Sequence, residues 1–196
     1  PRIVGFAVLE LAKLTMYKAH YLYFKKRYDA NYKLLMMDTD SFIAHVTTPD
    51  AILDMVQANA CESTPLKFDL SKRTATAACP NKGVLGCFKY EPGDEAIAEF
   101  AGLQAKMYSL LFSSGSVEQK GKGIPQKCLK AVQHEVFKKQ LFDPELHHVQ
   151  FNQIRSKKHS IQHVQQIKKG LGSFNDKVFQ VDGMWSLPLG HYRAKL

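Results

Sequence analysis

The residues best suited to metal chemistry are Asp38 and Asp40, which flank Thr39 in the string Met-Asp-Thr-Asp-Ser. The β-prone runs 32–36 and 42–46 on either side predict two strands joined by this acidic turn. Residues i and i+2 of an extended segment project to the same side, so both carboxylates are expected to approach one site. Carboxylates suit Mg²⁺ or Mn²⁺, which also bind phosphate oxygens. Because Asp and Ser are common turn residues, an ordinary turn is the alternative interpretation.

The string resembles the Asp-Thr-Asp-Ser signature, motif C, of family B DNA polymerases, and flanking segments extend the likeness. Residues 5–17 resemble the palm helix before motif C in the protein-primed branch, which is found in viruses, linear plasmids and self-replicating DNA transposons. Residues 102–110 resemble the Lys-x-Tyr strand that follows motif C, and the Lys-Gly-Lys-Gly-Ile segment at 120–124 resembles the basic stretch before the thumb. The likeness spans most of the 196 residues in the expected order.

This resemblance implies a DNA-directed DNA polymerase that transfers a nucleotide from a dNTP to a primer 3′-hydroxyl with two ions of Mg²⁺ or Mn²⁺. It makes Asp40 a catalytic metal ligand and Asp38 a second catalytic carboxylate that supports the metal, while Thr39 and Ser41 shape the turn. The implied partners are primer–template DNA, the dNTP and a terminal protein that primes synthesis. The implied location is intracellular, at sites of viral or mobile-element DNA replication.

The same resemblance assigns four residues to the primer strand. Lys106 and Tyr108 stand two apart, which predicts one face of a strand, with the ammonium group on a phosphate and the phenol near the minor groove. Lys120 and Lys122 repeat this spacing, and the glycine after each is expected to let the backbone approach DNA closely. The lysine pairs 157–158 and 168–169 are further candidates for duplex contacts.

Two polymerase motifs are missing from the chain. Motif A (Asp-x-x-Ser-Leu-Tyr-Pro), the source of a second essential Asp, does not occur, nor does motif B (Lys-x-x-x-Asn-Ser-x-Tyr-Gly), the nucleotide-gripping helix. Glu10 or Glu99 could approach the metal site in place of that Asp. The chain starts at Pro1 without an initiator Met, so we expect a piece of a longer protein, inactive alone. The alternative is a catalytically silent, domesticated nucleic-acid-binding relic of such a polymerase.

Basic charge is concentrated late in the chain. The net charge is +9, and residues 117–177 hold twelve Lys or Arg against five Asp or Glu. This asymmetry indicates a polyanionic partner for the C-terminal part.

No run of eighteen apolar residues occurs, so we expect no membrane span. Cys61, Cys79, Cys87 and Cys128 show no paired spacing and predict reduced thiols. His159 and His163 have a helical metal spacing without an acidic or Cys partner, which favours surface or packing roles.

The remaining patterns predict an α+β fold. An antiparallel palm sheet with packed helices is expected over residues 1–115, and a small basic thumb over 116–196. One palm sheet would contain residues 32–46 and 84–112, packed against the first helix. Thr48 is the predicted cap of the second helix. The predicted helices are 4–28, about 49–60 and 126–141, and the further predicted strands are 84–90, 97–103 and 105–112. Residues 174–181, 185–187 and 191–192 predict small strands or a docked tail. Residues 151–169 show no clear pattern.

Overall fold

The computed structural model describes residues 1–74, 81–143, 145, 147–173, 178–182, 185–188 and 190–194. Helices make up 30% and strands 35%, with small antiparallel sheets, which confirms the α+β class. The chain forms two compact units, Pro1–Ala98 with Phe112–Gly115 and Glu99–Leu111 with Ser116–Leu196. Residues 99–111, which the sequence analysis groups with the palm part, therefore lie in the second unit.

The first unit begins with the predicted long helical segment. Helix α1 spans Arg2–Lys18, a π-helical stretch spans Ala19–Lys25, and a last helical turn spans Lys26–Tyr28. The π-helical stretch enters the first core, where Tyr23 and Phe24 are buried. Most apolar side chains of α1 itself are exposed, among them Ile3, Val4, Phe6, Val8, Leu9, Leu11 and Leu14. The helix is therefore held mainly through its C-terminal continuation.

The acidic turn lies on the predicted hairpin. Strand β1 (Tyr32–Asp38) pairs antiparallel with β2 (Ser41–Val46). The ring of Phe42 lies 5.0 Å from the ring of Phe24, and Tyr32 is buried in the same core. These contacts attach the hairpin to the first core and leave its turn at the surface.

Helix α2 spans Ala51–Ala60, but Asp50 caps it instead of Thr48. Asp50 Oδ1 accepts hydrogen bonds from two backbone N–H groups of the first turn, at 2.9 and 3.0 Å. The predicted cap is wrong because a carboxylate one residue before the helix satisfies these donors directly. The Thr48 hydroxyl instead donates to Asp54 at 2.9 Å. Asp54 also accepts from Arg27 at 2.6 Å, which ties α2 to the first helical segment.

The predicted strand 84–90 is mostly wrong. Only β4 (Phe88–Lys89) is extended and paired, and it runs parallel to β3 (Phe68–Asp69). The preceding residues form turns, in which Gly83 and Gly86 have φ of +68° and +84°. These left-handed conformations suit glycine and interrupt an extended strand.

A three-stranded antiparallel sheet lies mainly in the second unit. It contains β5 (Ile97–Gln104), β6 (Met107–Phe112) and β7 (Val117–Lys120). Within the described residues this sheet and β1–β2 are separate, so the single palm sheet predicted from the sequence is wrong. Each sheet contributes to its own core: Phe42 of β2 packs on the first, and Leu103 of β5 is buried in the second.

The predicted helix 126–141 is broken into α3 (Gln126–Leu129) and α4 (His134–Phe142). The break leaves the carbonyl of Val132 outside a helical hydrogen bond, and the buried Gln119 side chain donates to it at 2.7 Å. Phe137 of α4 is fully buried in the second core. One amide side chain thus compensates the interruption.

Residues 148–169 form a long two-stranded ribbon that the sequence analysis misses. Strand β8 (His148–Lys157) pairs with β9 (Ser160–Lys169) along its whole length. Lys158 and His159 form the connecting turn, with φ of +49° and +62°. This conformation usually calls for Asn-Gly, and the ribbon carries no such signal. Two short paired strands follow, β10 (Val178–Asp182) and β11 (Trp185–Pro188), which is the first of the two predicted alternatives, small strands or a docked tail. The predicted residues 174–177 lie outside the described residues.

Replacing His159 by Gly should stabilise the ribbon turn. Glycine adopts a positive φ without the steric cost that a histidine side chain incurs, so the free energy of unfolding should rise by about 0.5–1 kcal/mol. Urea denaturation measures the change. Ser160→Gly is the matched control, because Ser160 begins β9 and glycine there should destabilise. Equal destabilisation by both variants would contradict the prediction.

None of the helices in the described part of the chain combines the length and the apolar character needed to cross a membrane.

Candidate functional site

The acidic turn is a tight one at the exposed tip of the β1–β2 hairpin. Asp38 pairs with Ser41 across the strands, and Thr39 and Asp40 make the connection. The Asp40 N–H donates to the Asp38 carbonyl at 2.6 Å, and Thr39 has φ of +55°. This three-residue bond is that of a γ-turn, which is strained when the central φ is positive. Asp38 is half-buried, whereas Thr39 and Asp40 are exposed.

Asp38 and Asp40 do not lie on one extended segment. The i, i+2 rule does not apply to Asp38 and Asp40, because Thr39 between them is not extended. The backbones of Asp38 and Asp40 are brought together instead by the turn. The Thr39 hydroxyl donates to Asp38 Oδ1 at 3.2 Å, and the Ser41 hydroxyl donates to the Asp38 carbonyl at 3.3 Å. Thr39 therefore contacts the carboxylate of Asp38 and Ser41 contacts its backbone carbonyl. Asp40 lies at the exposed tip of the hairpin.

The side chains of Asp38 and Asp40 are suitable ligands for Mg²⁺ or Mn²⁺, since both are carboxylates. Among the described residues, no group of three or more His, Cys, Asp or Glu side chains is placed to hold a metal ion. Asp38 and Asp40 therefore offer two carboxylates, and an octahedral ion would take its other ligands from phosphate, water or a further carboxylate.

The two glutamates considered as replacements for the motif A carboxylate both form ion pairs. Glu10 accepts from Lys13 at 2.7 Å on the surface of α1. Glu99 lies 2.8 Å from the Lys138 ammonium group and 3.4 Å from His134 Nε2, within the second unit. The hydrogen bond from Lys138 is the main reason that the pKa of Glu99 is below its ordinary value. Glu99 thus links β5 to α4.

Lys106 does not lie on a strand, so its predicted placement on one strand face with Tyr108 is wrong. It sits in the β5–β6 turn with φ of +63° and is exposed. Tyr108 is on β6, directly opposite Lys120 of β7. Directly opposite residues of an antiparallel pair share a face, so Tyr108 and Lys120 are neighbours on one surface. Their proximity depends on strand register, which spacing within either segment does not reveal.

The second lysine motif, Lys120 and Lys122, begins at the last residue of β7 and continues beyond the strand. Lys120 and Lys122 are both exposed. Lys120 lies 3.7 Å from Glu118 Oε1, a surface pair of the kind that contributes little to stability. A Cβ added to Gly121 would lie 2.9 Å from Leu129 Cδ1, a residue with no exposed surface. Core packing is therefore reason enough for a glycine at position 121, and its close approach to DNA stays a prediction.

Gly121→Ala should lower the free energy of unfolding by about 1–3 kcal/mol, because the new methyl group overpacks the second core. Denaturant unfolding followed by circular dichroism measures the change. Gly5→Ala is the control: no atom lies within 4 Å of its added Cβ, and alanine favours a helix, so that variant should be stabilised. Unchanged stability of Gly121→Ala would show that the glycine serves another purpose.

The histidines and cysteines considered as metal ligands lie in different surroundings. His159 lies in the ribbon turn and His163 on β9, so their four-residue spacing is not a helical one. Cys61, Cys87 and Cys128 are free thiols, and Cys79 lies outside the described residues. A hydrogen bond with Ser63 is the main cause that lowers the pKa of the Cys61 thiol to about 7.

No protein-family model, no curated protein and no solved structure matches this chain. The structure itself defines an α+β protein of two compact units, the first with an acidic hairpin turn and the second with a basic β-ribbon.

Proposed function

We propose that this chain is the C-terminal palm and thumb part of a protein-primed family B DNA polymerase. The observation that carries the proposal is the Asp-Thr-Asp-Ser string at the exposed tip of an antiparallel hairpin that is packed on a core. A structural turn alone needs no pair of carboxylates at this position, whereas a metal-dependent nucleotidyl transfer does. The order of the other resembling segments along the chain adds to this support.

Within this proposal the two aspartates have separate roles. The carboxylate of Asp40 is exposed and free to turn toward a metal ion and the triphosphate of a dNTP. Asp38 is half-buried and held by Thr39 and Ser41, so it fixes the turn and adds negative charge beside Asp40. When bound, Mg²⁺ or Mn²⁺ would activate the primer 3′-hydroxyl and neutralise charge on the leaving pyrophosphate.

The second unit would hold the primer–template. Tyr108 and Lys120 present a phenol and an ammonium group on one face of the β6–β7 pair. Lys106 and Lys122 add exposed cations at the neighbouring turns. These side chains suit the sugar–phosphate backbone, which any polymerase must bind without regard to sequence. The terminal protein that would prime synthesis is proposed from the resemblance to protein-primed polymerases alone.

A silent nucleic-acid-binding relic is the second candidate. It is favoured by the small number of acidic groups at the hairpin, since the described residues provide no third metal ligand there. DNA binding separates the two functions: a relic that has become a regulatory protein would prefer one DNA sequence strongly, and a polymerase would not.

The test of the polymerase proposal is Mg²⁺-dependent extension of a primed template. We expect no extension by this chain alone, and extension when it is joined to an upstream segment that carries motif A and motif B. If the joined protein folds and binds primer–template but does not extend it, the polymerase proposal is wrong.

A further inference from the structure

The β8–β9 ribbon has two chemically different faces. Its register places Val149, Phe151, Gln153, Arg155 and Lys157 of β8 on the same face as Ser160, Gln162, Val164, Gln166 and Lys168 of β9. We call this the inner face, because Val149 at its base is buried in the second core. The outer face carries the alternate residues, of which only Lys169 is a lysine or arginine. No Asp or Glu occurs anywhere in residues 148–169.

The base of the inner face meets the second lysine motif. The Lys168 ammonium group lies 5.8 Å from the centre of the Phe151 ring, which confirms that this side chain is on the inner face. It also lies 3.9 Å from the position of a Cβ on Gly123. Lys168 therefore reaches the Lys-Gly-Lys-Gly segment at 120–123, although the two are far apart in sequence. No ion pair joins Lys168 or Lys122 to a carboxylate of the described residues.

From this base the positive charge continues toward the tip of the ribbon. Arg155 and Lys157 lie further along the inner face, and both are exposed. Eight residues of extended chain separate Lys157 from Val149, the partner of Lys168, which corresponds to about 27 Å. That length equals the rise of roughly eight base pairs of duplex at 3.4 Å each. Gln153 and Gln166, which hydrogen-bond to each other at 2.7 Å, lie between the cations.

We propose that the inner face is a track for the sugar–phosphate backbone of duplex DNA, with Lys122 and Lys168 at its base and Arg155 and Lys157 toward the tip. This inference rests on the proposed function, whose DNA contacts it extends from Lys122 of the second lysine motif onto one face of the ribbon. Cations separated by amide side chains suit phosphate and sugar oxygens. An acidic protein is a poorer partner, because the inner face beyond Phe151 lacks the exposed aromatic and apolar residues that form the centre of protein interfaces.

Adjacent lysines provide the test, since Lys168 and Lys169 differ in face but not in charge or exposure. The whole chain is titrated with a fluorescein-labelled DNA duplex across a salt series, and anisotropy gives the association constant. Lys168→Ala should reduce the steepness of the log–log salt dependence by about 0.9, the value of one phosphate contact. Lys169→Ala should leave it unchanged. The double variant Arg155→Gln, Lys157→Gln should reduce it by about 1.8.

The outcomes separate this inference from the proposed function. Equal effects of Lys168→Ala and Lys169→Ala, with wild-type binding intact, would overturn the inner-face track and leave the polymerase proposal standing. A wild-type chain that does not bind duplex DNA would contradict both. Binding of poly-glutamate with the same dependence on Lys168, and without DNA binding, would assign the face to an acidic protein and overturn the track. Circular dichroism establishes that each variant is folded.

Discussion

Asp40→Asn is expected to reduce primer extension by about three orders of magnitude in a protein that joins this chain to motif A and motif B. The substitution preserves size and hydrogen-bonding shape but removes the negative charge that would hold a metal ion. Charge stabilisation by a catalytic metal is worth several kcal/mol, and a loss of about 4 kcal/mol corresponds to a thousandfold change in rate. Because Asp40 is exposed at a turn, the variant should fold normally.

Single-turnover extension at saturating dNTP and Mg²⁺ measures this loss. Asp50→Asn is the matched control, because it makes the same change of charge in the same unit and Asn remains a good helix cap. The control should extend primers at the wild-type rate. An Asp40→Asn protein that matches its control would remove Asp40 from the metal site. Asp38→Asn is expected to have a smaller effect, since Asp38 is half-buried and contacts Thr39 and Ser41.

The hairpin could be predicted from the sequence because two β-prone runs and their turn are contiguous. The strands at 32–38 and 41–46 need only local pairing, and the signal for each is strong. The conformation of the turn could not be predicted, because a positive φ at Thr39 is uncommon for a β-branched residue. The sequence predicted that both carboxylates project from one side of an extended segment, whereas Thr39 between them is not extended.

The basic surface was harder to predict because it is assembled by pairing between distant segments. Tyr108 meets Lys120 through the register of β6 and β7, and Lys168 meets the segment 120–123 through the base of the ribbon. Neither contact leaves a periodic pattern. The ribbon itself was missed for two physical reasons. Both of its faces are largely exposed, so apolar and polar residues need not alternate, and Lys158-His159 is an unusual pair for such a turn.

Replacing Lys106, Lys120 and Lys122 together by Ala should weaken duplex binding and flatten its salt dependence. If each lysine neutralises one phosphate, the steepness of the log–log plot should fall by about 2.7. The loss should be the same for every DNA sequence, because phosphate contacts carry no base information. All three side chains are exposed, and they lie in turns or at the end of β7, so the fold should be retained.

Fluorescence anisotropy with several duplexes of equal length decides this prediction. The control replaces three exposed lysines of the first unit, Lys13, Lys18 and Lys33, and so removes the same net charge away from the predicted contacts. It should retain most of the salt dependence, because counterion release counts phosphates neutralised at the interface and not the total charge of the protein. If the control loses as much steepness as the triple variant, binding is a diffuse attraction and the motif lysines have no specific role. If the wild-type chain prefers one sequence sharply, the regulatory relic is the better function, since a polymerase must bind every sequence that it copies.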